Sequence, residues 1–146
     1  MTIELYKNSL ITLQDADSYF DERYGSQSWT ELEDSEKEEV LCTASKKISR
    51  FDFVGEPLEK NQPLAFPRDF DMPQDIKDAV CEEAIALVQN TDNVHLQNLE
   101  NNITSISLGA GSVSYSTGAL SPEAKLLRSS TAIYLVQKWI KKGYFI

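Results

Sequence analysis

A chain of 146 residues with 41% hydrophobic and 25% charged residues, six Gly and five Pro has the balance of one globular domain, not of a disordered or collagen-like chain. Its longest apolar runs, residues 84–88 and 132–136, are five residues each, far short of the ~20 that cross a bilayer, so no transmembrane helix and no membrane partner are expected. The net charge of −9 is unevenly placed: residues 1–100 hold nine Lys or Arg against 22 Asp or Glu, whereas residues 101–146 hold five against one, and an acidic body argues against a general nucleic-acid binder, whose footprint is a basic face.

The opening MTIELYKNSL has no basic region ahead of an apolar one, so no secretion signal is expected. Thr12 followed by Asp15 marks a helix start of the capping-box kind. Leu13, Ala16, Tyr19, Phe20 and Tyr24 then recur at helical spacing until Gly25. Trp29 and Leu32 fall in a connector. Ser35 and Glu38 form an S-x-x-E capping box ahead of Val40, Leu41, Ala44, Ile48 and Phe51, which predicts a helix over roughly 36–53 that Gly55 and Pro57 close.

Pro57, Pro63 and Pro67 forbid a helix over 56–72, which should run extended over the surface, pinned by Leu64, Phe66 and Phe70. Pro73 suits a first helical position, and Ile76, Ala79, Val80, Ala84, Ile85, Leu87 and Val88 give a strong helical stripe down to Asn90. Residues 90–102 are Asn-rich and favour turns.

Residues 103–117 alternate large with small polar side chains and read as a β-hairpin. Ile106, Leu108, Gly109, Gly111, Val113 and Tyr115 would form a weakly defended edge, lying on its own helices or pairing with a neighbouring subunit. Ser121-Pro122-Glu123 is a strong helix start, and the helix it opens, through Leu126, Ile133, Val136, Trp139 and Ile140, is apolar around much of its circumference. It is expected to fray after Lys142, leaving 143–146 as a free apolar end, and the basic, aromatic stretch 138–146 reads as a docking tail. Together these elements imply one mainly α domain over 1–146: a small bundle of about four helices with one inserted β-hairpin and a protruding C-terminal helix and tail.

Chemistry-bearing groups are sparse. His95 is the single histidine and sits in the Asn-rich stretch. Cys42 and Cys81 lack CxxC spacing and read as small buried residues. Asp69, Asp71 and Asp75 fail as a calcium loop, because Pro73 interrupts them and Val80 stands where a bidentate Glu is needed. Glu82 and Glu83, adjacent on a helix, diverge. No catalytic residue, metal site or cofactor is therefore expected, and no enzyme.

The order TLQDADSYF, Trp29, EEVLCTASKKISRF, LAFPRDF, MPQDIKDAVCEEA and SISLGAGSVSYS resembles the head-tail connector (adaptor, or head completion) proteins of long-tailed bacteriophages, some of whose members carry the label of a DnaT-like single-stranded-DNA-binding protein. The resemblance implies a ring of twelve copies beneath the portal vertex, linking capsid to tail in the virion after assembly in the host cytoplasm. Its partners would be further copies of itself, the portal protein and the next neck, stopper or tail protein. Double-stranded DNA would pass through without specific binding.

It also implies a C-terminal segment that docks on the portal. Here Lys138, Trp139, Lys141, Lys142, Tyr144, Phe145 and Ile146 have the chemistry for that contact, with aromatic anchors and steering charges. The alternative expectation is a single-stranded-DNA-binding accessory protein, which needs aromatics along a cationic groove. A subunit of a cytoplasmic regulatory complex is a third.

Overall fold

Helix-forming segments separated by Gly and Pro punctuation assemble around one apolar helix. The computed structural model of the protein describes residues 2–89 and 126–141, with five helices among them: α1 (Leu13–Asp21), α2 (Gln27–Thr30), α3 (Asp34–Ile48), α4 (Gln74–Val88) and α5 (Ser130–Gln137). The mainly helical class is as expected. The expected hairpin, with Ile106, Leu108, Gly109, Gly111, Val113 and Tyr115, lies outside the described residues, as do His95 and the Asn-rich stretch. Among the described residues, no helix is long and apolar enough to cross a membrane.

Helix α1 starts as its residues dictate, with the Thr12 hydroxyl accepting from the Asp15 backbone N–H at 3.1 Å. Gly25, at φ +80°, turns the chain after it. Trp29 is not in a loose connector: it sits in α2, fully buried, its ring stacked on Phe20 at 4.4 Å and its indole N–H donating to Asp17 at 2.9 Å. Helix α3 starts two residues earlier than its S-x-x-E motif suggests. Its capping box is Glu33 with Glu36, which leaves the Glu38 carboxylate free to accept from the Ile3 backbone N–H. It ends at Ile48 and not at Phe53, and Phe51 and Phe53 turn into the core from the loop beyond it.

That loop, 50–72, is not simply extended. It folds back on itself through paired backbone at Pro57 and Arg68 and a hydrogen bond from Asp69 N–H to Glu56 O at 2.9 Å, and the Phe66–Pro67 peptide is cis. The Arg68 guanidinium clamps it, donating to the carbonyls of Phe53, Val54, Gly55 and Ala65 at 2.9–3.2 Å. Leu64 and Phe66 are buried and Phe70 packs beside them, as expected.

Helix α4 is the centre. Ile76 and every residue from Ala79 to Ala86 are buried, and α1, α2, α3 and α5 all pack on it. An α-helix buried around its circumference must be apolar all round or satisfy its polar members; α4, which buries Glu82 and Glu83, does the second. Ion pairs set the directions of its neighbours. Lys47 reaches Glu83, while Val40 and Thr43 face the Leu87–Val88 end, so α3 runs antiparallel to α4. Lys77 meets Asp15 and Glu82 meets Tyr19 and Arg23, so α1 runs parallel to it.

The C-terminal helix is neither continuous from Ser121 nor protruding. α5 begins at Ser130, capped by the Ser129 hydroxyl, and Ala132, Ile133, Val136 and Ile140 are buried on the body.

Candidate functional site

The residues singled out for docking fall into two groups. Lys142, Tyr144, Phe145 and Ile146 lie outside the described residues. Lys138, Trp139 and Lys141 are described, and each is engaged by the body. The Trp139 ring stacks on Phe70, with centroids 5.8 Å apart and planes 12° from parallel, and its indole N–H donates to Asp75 at 3.2 Å. Lys138 Nζ lies 2.9 Å from the same carboxylate. Backbone bonds close the clasp: Val54 N–H donates to Trp139 O at 2.8 Å, and Lys141 N–H to Asp52 O at 2.9 Å, with the Lys141 ammonium 3.5 Å from the Asp52 carboxylate. The Lys138 and Trp139 donors together hold the Asp75 carboxyl below its usual range. Trp139 is thus a clasp for this segment, and the chain is held to the body through Lys141; the free end expected from Gly143 lies outside the described residues.

At its other end the C-terminal segment is held by a carboxylate that sequence reading passed over. Glu83 is fully buried. It accepts from Lys47 Nζ at 2.7 Å, from Arg128 N–H at 2.9 Å and from Ser129 N–H at 3.0 Å. Its neighbour Glu82 points the opposite way, taking the Tyr19 hydroxyl and a two-pronged contact from Arg23 at 2.7 and 3.2 Å. Burial first, and the Glu82 carboxylate second, raise the Tyr19 hydroxyl well above its ordinary value. The two carboxylates diverge as expected, but as internal keystones. The signal was available: two adjacent acids inside an otherwise apolar helix demand partners.

Cys42 and Cys81 are buried and unpaired with each other, and burial pushes both thiols up. Among the described residues no group of three His, Cys, Asp or Glu is placed to hold a metal ion.

What remains on the surface is shape and charge. Between the middle of α3 and the C-terminal end of α4 lies an open groove of about 420 Å³, floored by Leu32, Val40, Leu87 and Val88 and rimmed by Glu36, Glu39 and Thr43. That is the low end of the ~300–1,000 Å³ typical of ligand pockets, a size for a few inserted side chains. A second cleft, between α1 and α4, carries Asp15, Glu22 and Asp78 with Lys77 and Tyr19. A third, beside the start of α5, brings Arg23, Arg128, Ser130 and Thr131 near Glu82.

The cations are largely spoken for. Lys7, Arg23, Lys37, Lys47, Lys77, Lys138 and Lys141 each face a carboxylate, and Arg68 faces carbonyls. The described surface therefore presents acids more than bases.

The comparisons bear on this arrangement in one way. A family model described as "Putative DnaT-like ssDNA binding protein" matches residues 2–144. No curated protein and no solved structure matches the chain.

Proposed function

We propose that the chain, which belongs to the family described as that of a putative DnaT-like ssDNA-binding protein, works by holding other proteins together, as a head-tail connector subunit of a tailed phage, a reading that rests on its surface and not on that description. The observation that carries this reading is the charge of the body. Twenty Asp or Glu stand against twelve Lys or Arg among the described residues, and many of those cations already neutralise a neighbouring carboxylate. Such a surface repels phosphodiester backbone. A ring of such subunits under a portal would let duplex DNA slide past without sticking. Its portal and tail contacts would rest on apolar and aromatic anchors, of which the groove on α3 and α4 is one.

A second reading, single-stranded-DNA binding, is favoured by the family's description. Its best location is the cleft holding Arg23, Arg128, Ser130 and Thr131; Tyr24, which follows Arg23 in the chain, is fully exposed. Aromatic stacking on a cationic groove is how such proteins hold bases. Titration of the full chain against a fluorescent oligonucleotide at low and at high salt separates the two. The connector reading expects negligible affinity at either salt concentration. Tight binding that weakens steeply with salt establishes the second reading and removes the first.

A further inference from the structure

We propose that the groove between α3 and α4 receives a basic amphipathic helix of a partner protein, whose apolar anchors rest on Leu32, Val40, Leu87 and Val88 and whose lysines or arginines lie beside Glu36 and Glu39. The inference deepens the reading above, in which this groove is a protein contact, and rests on it for the expectation that another protein arrives there.

The floor selects side chains of a protein over a small molecule. Leu32, Val40, Leu87 and Val88 are half-buried, giving part of their surface to the body and part to the groove. Ligand pockets enclose about 70–90% of what they bind, which an open groove does not. The walls select a helix over a strand. From Glu36 to Thr43 the wall is the interior of α3, whose backbone N–H and C=O groups are spent within the helix, so an extended segment finds no edge to pair with. A partner must satisfy its own backbone, as a helix does. The seven steps from Glu36 to Thr43 cover about 10 Å, which seats two turns of a docked helix with anchors at i, i+3 or i+4, and i+7.

The rim selects the sign. Residues 31–39 hold six acids and one cation, and that cation, Lys37, is bound to Asp17 at 3.1 Å. Helix capping accounts for Glu33 and Glu36, and Glu38 accepts from the Ile3 backbone N–H. Neither accounts for Glu39, which lies past the first turn, is exposed on the rim and forms no ion pair among the described residues. Nucleic acid and anionic lipid are repelled by such a rim, and the acidic body of a second copy is too. A cationic partner is drawn to it. The cleft between α1 and α4 is an internal control: it has Asp15, Glu22 and Asp78, but also Lys77, and no aliphatic floor.

The probe is a stapled helical peptide with leucine at i, i+3 and i+7 and lysine on both flanks, titrated into the isotope-labelled full chain. Saturable amide shifts confined to the surroundings of Val40, Thr43 and Leu87 are expected. Glu39→Lys should weaken binding roughly tenfold, whereas Glu22→Lys, an exposed change in the other cleft, should alter it by less than about twofold at physiological salt. Shifts spread over both clefts, binding that does not saturate, or equal effects of the two substitutions overturn the proposal. In parallel, the full chain with p-benzoylphenylalanine in place of Thr43, an exposed rim residue, is mixed with purified portal and neck proteins. A cross-link to a lysine- or arginine-bearing helix of one of them is expected; a cross-link to a second copy, or to an acidic or uncharged segment, overturns the proposal. If the peptide seats in the groove and neither portal nor neck protein is retained, the connector reading falls and the groove assignment stands. If they are retained and the groove takes no peptide, the groove assignment falls and the connector reading stands.

Discussion

Glu83 shows how much a single buried group can decide. A carboxylate with no solvent contact is tolerated because Lys47 and two backbone N–H groups at Arg128 and Ser129 surround it. Removing one partner of a buried ionic cluster leaves the rest uncompensated, at about 3–5 kcal/mol. Glu83→Ala should lose stability in that range by urea unfolding, and Glu83→Gln, which keeps an acceptor for the backbone donors, should lose less. Equal losses for the two would place the stabilisation in charge alone. Gly55 makes a sharper demand. It sits at φ +76°, and a Cβ there would run into the Asp69 carboxylate and the Phe70 ring. Gly55→Ala should therefore cost more than the ~1 kcal/mol by which such a change can stabilise at a permissive site, read as a lowered midpoint in thermal melts.

At the scale of elements, helices were legible wherever periodicity and caps agreed. Thr12 with Asp15 gave α1, and the stripe from Ile76 to Val88 gave α4. Boundaries slipped where two caps competed: Glu33 with Glu36 prevailed over Ser35 with Glu38, since the Glu38 carboxylate is taken by Ile3. The break before α5 was not legible, because it depends on Glu83, 45 residues away in sequence from Arg128.

The same holds for Trp139. Its spacing suggests a surface anchor, and only the loop carrying Phe70 shows what covers it. The clasp around Asp75 has a pH dependence with a definite sign. A carboxyl held below its usual value of ~3.9 stabilises the folded state above that value and loses the contribution as pH falls through its lowered folded value. The Trp139 indole N–H resonance should therefore move on acidification below about pH 4. In Asp75→Asn that movement should vanish; a wild-type resonance that stays still down to about pH 2 would show that the clasp does not titrate.

Across the whole molecule, the charge asymmetry seen in the sequence survives folding, but its meaning changes. Lys138 and Lys141, counted as part of a basic tail, are spent on Asp75 and Asp52, so the cationic character of the tail rests on Lys142. The candidate groove was not legible as a site. Leu32, Val40, Leu87 and Val88 come from three segments whose apolar residues read equally well as core, and only the packing of α3 on α4 leaves them half-buried.

Helix α4 carries one more consequence. Every other described helix leans on it, and its interior from Ala79 to Ala86 is shut off from water. No neighbour can detach without exposing that interior, so amide protons along this stretch should exchange with deuterium only when the entire domain opens. They should share a single opening free energy equal to that from denaturant, while the amides around Tyr24 and Leu58 exchange by small local excursions.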